Sequence, residues 1–411
     1  MNITYTLQEI LEESEKKGYF SIDEYPRLKL SQQEMLELNT LLKKQNIHFG
    51  NPDIPKTITS KEAIEIINSL RRGIPSQVGT DYYSVGQEKL IKQVKADLLE
   101  TQEGKSIVRF LNADIGEGKT HALYRLREFA FQHDYAVSIV TLSQNSCPLY
   151  DFMSVYHEIM WGLRTSDQRT KPALSNIIDR WVKDIRNKNR YEISEIVKNH
   201  LPPTICSIMA AYVDTTNLLR PNETKRQQIL KFLGGDKMLK RDIRALGIET
   251  FIDSDNALHI LSEMAIAIRY IGFKGICIFF DEAESIHSFA SSYNKDRAYN
   301  NLLQIIRQSQ EFPHCYFLYA TTPSFIESFE TDWFQRISSR PLLTLERLRR
   351  PQRQEIGKKI VDIYATAFDW KAPPDVVEAI EVVAKSREDV SIGNFVRAII
   401  AIFDELRVQD E

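Results

Sequence analysis

SIVRFLNADIGEGKT, residues 106–120, joins an apolar stretch to a glycine-containing loop that opens an amphipathic helix, and this stretch decides the fold. The loop follows the phosphate-loop pattern GxxxxGK(S/T), with Ala113 in place of the first glycine. Backbone N–H groups at the start of such a helix cradle phosphates, and Gly116 and Gly118 let the chain approach them closely. The pattern therefore predicts a site for nucleotide phosphates.

The residues of this loop are the candidate nucleotide ligands. We expect Lys119 to neutralise the β- and γ-phosphate oxygens and Thr120 to place its hydroxyl on Mg²⁺. The alternative is an ordinary βα turn that happens to carry a lysine. The predicted cofactor-binding set in the loop is Asp114, Ile115, Gly116, Glu117, Gly118, Lys119, Thr120 and His121.

Apolar, β-branched stretches alternate with helical patterns along the middle of the chain. Such alternation predicts an α/β fold with a parallel five-stranded sheet and crossover helices. We expect a small N-terminal helical domain over 1–56, with a helix that begins at Ser31, and a core over 57–345. The core would carry a helical insertion at about 165–250, and a C-terminal helical lid would span 346–411. The expected strands lie at 106–112, 135–142, 275–280, 315–320 and 341–345.

GICIFFDEAES, residues 275–285, supplies a second set of candidate catalytic groups. Asp281 at the strand end is suited to bind Mg²⁺, and Glu282 is suited to polarise an attacking water. Glu284 is either a second polar contact or a solvated side chain, and we favour the solvated side chain. A buried strand that ends in a solvated acidic turn is the alternative, but it is less favoured when a phosphate loop lies upstream.

The composition is that of an ordinary soluble protein. The 411 residues include 53 Lys and Arg against 56 Asp and Glu, a net charge of −3, so no global field draws the chain to nucleic acid or membrane. The four cysteines are widely spaced, which indicates neither a zinc site nor a disulfide framework. No apolar run is long enough to span a membrane, and we expect a cytoplasmic location.

Four segments of the chain carry a resemblance to a known family: RRGIPSQVGTDYYSVGQEKLI (71–91), VRFLNADIGEGKTHAL (108–123), SQNSCPLYDFMSVYHEIM (143–160) and the segment 246–286. They resemble the ATP-binding domain of the BrxC/BrxD-type proteins of BREX anti-phage defence systems. The resemblance covers about 60–405, and the single ATPase domain is more similar to BrxD than to the larger BrxC. It implies an AAA+-like P-loop NTPase fold, ATP and Mg²⁺ as cofactors, ATP hydrolysis, and defence-system partners such as a helicase or methyltransferase.

The AAA+ resemblance also suggests residues that sense the nucleotide. In such ATPases the strand beside the acidic one ends in a polar residue near the γ-phosphate, and Thr321 or Thr322 fits that place. Two threonines that merely cap a turn are an equal alternative. Arg397 in GNFVRAI is the nearest candidate for a second sensing arginine, although it lies one helical turn beyond the usual place.

Arg336 and Arg340, in RISSRP, are candidates for an arginine finger that acts on the γ-phosphate of a neighbouring subunit. This interpretation implies a homo-oligomer. The alternative is a surface arginine that pairs with Glu330 or Asp332.

Two basic segments suggest contact with DNA or RNA. Residues 225–244 carry seven basic and two acidic side chains, and residues 347–359 carry six against one. Such runs can follow phosphates, although most are solvated helical faces.

Two functions use the same residues. One is an ATP-hydrolysing enzyme that couples nucleotide state to assembly or DNA handling. The other is an ATP-dependent binding switch or scaffold with slow or incidental hydrolysis.

Overall fold

The computed structural model describes residues 19–20, 48–49, 58–185, 201–215, 222–309, 312–328, 340–386 and 390–410. The chain divides into two units, 1–58 and 59–411. In the first unit, β1 (Tyr19–Phe20) pairs in parallel with β2 (His48–Phe49). The helix expected from Ser31 lies outside the described residues.

The second unit contains a sheet of five parallel strands, as the alternating pattern predicts. The spatial order is β4-β5-β6-β3-β7, so one strand separates the strand before the phosphate loop from the acidic strand. The strands are β3 (Ser106–Asn112), β4 (Tyr135–Thr141), β5 (Gly275–Asp281), β6 (Cys315–Thr321) and β7 (Leu343–Thr344).

Helices cover both faces of this sheet, because alternate strand residues are apolar on both sides. On β3, Val108 and Phe110 join one hydrophobic cluster, whereas Ile107 and Leu111 join the cluster on the other face. The helices before β5 are α1 (Ser60–Arg71), α2 (Glu88–Gln102), α3 (Lys119–Gln132), α4 (Phe152–Gly162), α5 (Leu174–Ile185), α6 (Pro203–Thr215), α7 (Glu223–Leu233), α8 (Lys240–Ala245) and α9 (Ala257–Tyr270).

Helices also make up most of the described chain after β5. A 3₁₀ turn (Ala283–Ser288) follows that strand directly. The later helices are α10 (Ser292–Ser309), α11 (Pro323–Glu327), α12 (Arg350–Phe368), α13 (Val376–Ser386) and α14 (Ile392–Asp410). Among the described residues, no helix is both long and apolar enough to cross a membrane.

A buried ion cluster ties the sheet to α2. The Arg109 guanidinium, on β3, donates to both carboxylate oxygens of Asp97 at 2.7 and 2.9 Å and to the Pro341 carbonyl at 2.8 Å. Arg340 donates to Asp97 at 2.9 Å and to Glu100 at 2.6 Å. Arg340 and, more weakly, Lys105 hold the pKa of Glu100 at about 2. The cluster therefore anchors the chain just before β7.

Replacing Arg340 by alanine should destabilise the fold, because Asp97 is buried and loses a charge-assisted hydrogen bond. We expect the free energy of unfolding to fall by about 1–3 kcal/mol near neutral pH. Because folding lowers the pKa of Glu100 from its ordinary value of 4.5, the ionised carboxylate stabilises the folded state above that pH. This stabilisation is lost as the pH falls towards 2. The difference in the free energy of unfolding between parent and variant should therefore become smaller as the pH falls from 4.5 towards 2. Urea unfolding followed by circular dichroism measures this difference.

Lys105→Ala is the matched control, since Lys105 pairs with Glu100 at 3.0 Å and is more than half exposed. This control should cost much less than Arg340→Ala. Equal stability of all three proteins would contradict a structural role for Arg340.

Candidate functional site

The loop between β3 and α3 has the backbone that its glycines predict. Gly116 and Gly118 have φ values of +85° and +91°, a region that side chains with a Cβ rarely adopt. Ala113 is absent from the positive-φ residues of the described chain, and its side chain is buried in the core. Alanine therefore fits the first position of the loop without strain.

Lys119, Thr120 and Asp281 meet at the carboxyl edge of the sheet. The Thr120 hydroxyl donates to Asp281 Oδ2 at 2.6 Å, although 161 positions separate the two residues. Lys119 Nζ donates to the Ala113 carbonyl at 3.2 Å. Because Mg²⁺ prefers oxygen ligands and takes few from the protein when it binds phosphates, the Thr120–Asp281 pair fits this ion.

Glu282 lies at the end of β5 in a left-handed conformation, with φ of +57°. A non-glycine residue held in this region is uncommon and concentrates at functional sites. Its backbone N–H donates to Asp281 Oδ1 at 3.0 Å. Glu282 is an exposed residue, but partial desolvation raises the pKa of its carboxyl, and the carboxylates of Asp281 and Glu284 raise it further. The arrangement suits a carboxylate that accepts a proton.

Glu284 lies inside the site, not in solvent as expected. Its Oε1 is 3.3 Å from Lys119 Nζ, and the two side chains are 21% and 10% exposed. Glu284 belongs to the 3₁₀ turn that follows the left-handed residue Glu282. No spacing rule in the sequence indicates that contact.

A cleft of about 480 Å³ opens beside the loop, within the range of small-molecule sites. His121 forms part of its wall, and its ring lies 4.9 Å from that of Tyr83. Burial lowers the pKa of His121 to about 4, so the ring is neutral at physiological pH. The apolar lining, which suits a flat base, comes from Leu70, Ile74, Pro75, Tyr83, Val85, Leu345, Leu348, Ile356 and Val396.

The Ser84 hydroxyl fixes the tautomer of that histidine. It donates to the Thr80 carbonyl at 2.6 Å, so His121 Nε2 donates to Ser84 Oγ at 2.8 Å. The other ring nitrogen, Nδ1, is therefore an acceptor.

Thr321 ends β6, which lies between β5 and β3, and Thr322 follows it directly. Thr321 pairs in register with Asn112, the last residue of β3, and its hydroxyl lies 3.4 Å from the Leu111 carbonyl. Thr322 Oγ1 is 3.1 Å from Ser324 Oγ. Asn112 Oδ1 is buried without a hydrogen-bond partner among the described residues. Asn112 is not among the site residues expected from the sequence, although its place directly before the loop is a signal that could have indicated it.

The candidate arginines occupy different places. Arg340 is held by Asp97 and Glu100, and Arg336 lies outside the described residues. Arg397 donates to Asn394 at 2.9 Å and passes so close to Gly73 that a Cβ there would lie 2.8 Å from its Nη2. The finger and sensor roles of these arginines stay predictions.

The start of α14 touches the phosphate loop. The Ile392 backbone N–H donates to the Gly116 carbonyl at 3.3 Å. A Cβ on Gly116 would lie 2.7 Å from Ser391 Cβ, and a Cβ on Gly393 would lie 2.8 Å from the Gly73 carbonyl. Glycine at these positions allows two chain segments to meet over the cleft.

The basic segment 347–359 makes several internal contacts. Arg353 is fully buried and donates to the carbonyls of Leu348 and Val390. Arg347 lies 3.3 Å from Glu117 of the phosphate loop, and Lys359 donates to the Ser84 carbonyl at 2.8 Å. These contacts favour a structural use of the segment.

The all-parallel sheet with this loop at its carboxyl edge is consistent with a P-loop NTPase. The sequence model of the BREX system ATP-binding proteins BrxC/D matches residues 58–201 and 185–411, and the chain therefore belongs to that family. This match confirms the resemblance found in the sequence. Membership implies ATP binding in an antiviral defence system, with other components of the system as partners. No curated protein matches the chain.

Gly116→Ala should weaken ATP binding by about tenfold or more, because alanine is strained at this φ and its Cβ would press on Ser391. Gly104→Ala is the matched control: Gly104 has φ of +98°, but the nearest atom to its Cβ would be 3.7 Å away, on His314. Calorimetric titration with ATP measures both. If the two variants bind ATP equally well, the close fit at Gly116 does not govern the site.

Proposed function

We propose that this protein is an AAA+-like ATPase of a BREX-type defence system, which couples its nucleotide state to assembly or DNA handling. The observation that carries the proposal is the meeting of Lys119, Thr120, Asp281 and Glu282 at one edge of a parallel sheet. Hydrolysis needs a cation for the phosphates, ligands for a metal and a base for water. These four residues supply each group.

Each residue has a proposed role. Lys119 and the backbone N–H groups of the loop hold the β- and γ-phosphates, and Thr120 and Asp281 hold Mg²⁺. When bound, Mg²⁺ neutralises phosphate charge. Glu282 orients the attacking water and accepts its proton, for which its raised pKa is suited. Thr321 or Thr322 is proposed to contact the γ-phosphate or that water.

The proposed partners are other defence proteins, with a helicase or a methyltransferase as the specific expectation. A homo-oligomer with a shared site remains part of the proposal. The ion pairs of Arg340 with Asp97 and Glu100 favour Arg336 as the finger.

The alternative is an ATP-dependent binding switch. Both functions need the same nucleotide-binding cleft, so only the rate of ATP hydrolysis distinguishes the enzyme from the switch. The raised pKa and the strained backbone of Glu282 favour hydrolysis, because neither is needed to hold a nucleotide.

Two substitutions separate binding from hydrolysis. Lys119→Ala should abolish measurable ATP binding, because it removes the cation that faces the phosphates, while the fold persists. Glu282→Gln should bind ATP at least as tightly as the parent and lower the hydrolysis rate by about 10²–10⁴-fold, the usual worth of a general base. Calorimetric titration measures binding, and release of inorganic phosphate measures turnover.

Unchanged ATP affinity in a folded Lys119→Ala protein would refute the phosphate-loop assignment. If Glu282→Gln hydrolyses ATP as fast as the parent, or if the parent has no turnover, the binding switch is the better description.

A second proposal concerns DNA contact through the segment 225–244. Its exposed cations lie on α7, in the turn before α8 and on α8 itself, and in contrast to Arg353 of the segment 347–359 they are not buried in the core. Two of them, Lys240 and Arg244, lie over the Phe251 ring at 5.0 and 5.7 Å. The exposed set is Lys231, Lys237, Lys240, Arg241 and Arg244.

Reversing the charge of Lys237, Lys240 and Arg241 to glutamate should weaken binding to duplex DNA and reduce its salt dependence. The slope of log affinity against log salt should become shallower by about one for each DNA phosphate that the variant no longer neutralises. Fluorescence anisotropy over a series of salt concentrations measures both quantities.

The matched control reverses Lys89, Lys92 and Lys95, three exposed lysines of α2. It changes the net charge equally at another surface. Equal weakening by both triple variants would indicate a general charge effect, and no weakening by either would remove the DNA proposal.

A further inference from the structure

We propose that Glu284 is a positioning residue that competes with nucleotide phosphates for the Lys119 ammonium and thereby limits the affinity of the site. This inference rests on the proposed ATP site and deepens it. Nothing in the phosphate-loop pattern requires an acid at this position.

The first observation is the ion pair itself. Glu284 Oε1 lies 3.3 Å from Lys119 Nζ, and both side chains are largely buried. At this distance and burial the attraction is screened less than it would be at the surface. A phosphate that takes Lys119 as its counter-ion must therefore replace a carboxylate that already holds this cation.

The second observation is the other carboxylate oxygen. Glu284 Oε2 is buried and has no hydrogen-bond partner among the described residues. A buried carboxylate oxygen without a donor is costly. The contact of Glu284 Oε1 with Lys119 offsets part of that cost for the carboxylate.

The third observation concerns the backbone before Glu284 and a second hydrogen bond made by Lys119. Glu282 adopts φ of +57°, and the 3₁₀ turn that begins at Ala283 follows it. Lys119 has a second anchor, since its ammonium also donates to the Ala113 carbonyl at 3.2 Å. Glu284 is thus not needed to keep Lys119 in the site, and its main effect on a phosphate is repulsion and competition.

Glu284→Gln tests the inference, because glutamine keeps the shape and an acceptor oxygen but removes the charge. We expect ATP and ADP to bind about tenfold more tightly than to the parent. AMP, which lacks the phosphates that face Lys119, should bind with unchanged affinity. Calorimetric titration with the three nucleotides measures this, and Glu284→Ala should show the same selective tightening.

Glu346→Gln is the control for a general charge effect. Glu346 is an exposed acid at the same cleft, so this change also makes the cleft less negative. Its effect on ATP should be less than threefold. If Glu346→Gln tightens ATP as much as Glu284→Gln, or if both Glu284 variants leave ATP and ADP unchanged, the competition does not exist.

The inference and the proposed function fail in different ways. A parent protein that does not bind ATP refutes the nucleotide site. A parent that binds ATP, with Glu284→Gln no tighter, refutes only the competition. Tightening that extends equally to AMP also overturns it, because AMP does not need Lys119.

Discussion

The hydrogen bond from Thr120 to Asp281, 2.6 Å long, joins two segments on which the rest of the site depends. Thr120 follows β3 and Asp281 ends β5, and β6 lies between these strands. With neighbouring strands about 4.8 Å apart, the loop must reach across roughly 10 Å of sheet edge. It can do so because parallel strands end at the same edge of the sheet.

On the other side of β3, the edge strand β7 needs an anchor besides its pairing with β3. β7 has only two residues, Leu343 and Thr344, and pairs with β3 over the same short length. So short a strand gains little stability from its backbone hydrogen bonds to β3. The Asp97 cluster supplies the missing anchorage, because Arg109 holds the Pro341 carbonyl and Arg340 holds Asp97. Burial of the Asp97 carboxylate is tolerable only because two guanidinium groups surround it.

The sequence predicts those parts of the molecule that follow from local pattern: five strands, a loop with two glycines that adopt positive φ, and an acid at the end of a buried strand. It does not predict contacts set by an unusual backbone or by distant packing. Glu284 contacts Lys119 from a 3₁₀ turn that follows the left-handed residue Glu282, and Arg340 meets Asp97 across 243 positions. A charge run likewise does not reveal that Arg353 is fully buried. The N-terminal helix and Arg336 stay predictions.

The cleft is built from segments that lie far apart in the chain, including 70–87, 115–121, 281–285 and 391–396. A ligand that fills it touches all of them, and α14 already contacts the loop through the Gly116 carbonyl. A ligand at 100 times its dissociation constant stabilises the state that binds it by about 2.7 kcal/mol. That is a substantial part of the stability of a typical domain. A nucleotide that occupies the cleft can therefore stabilise the contact between α14 and the phosphate loop.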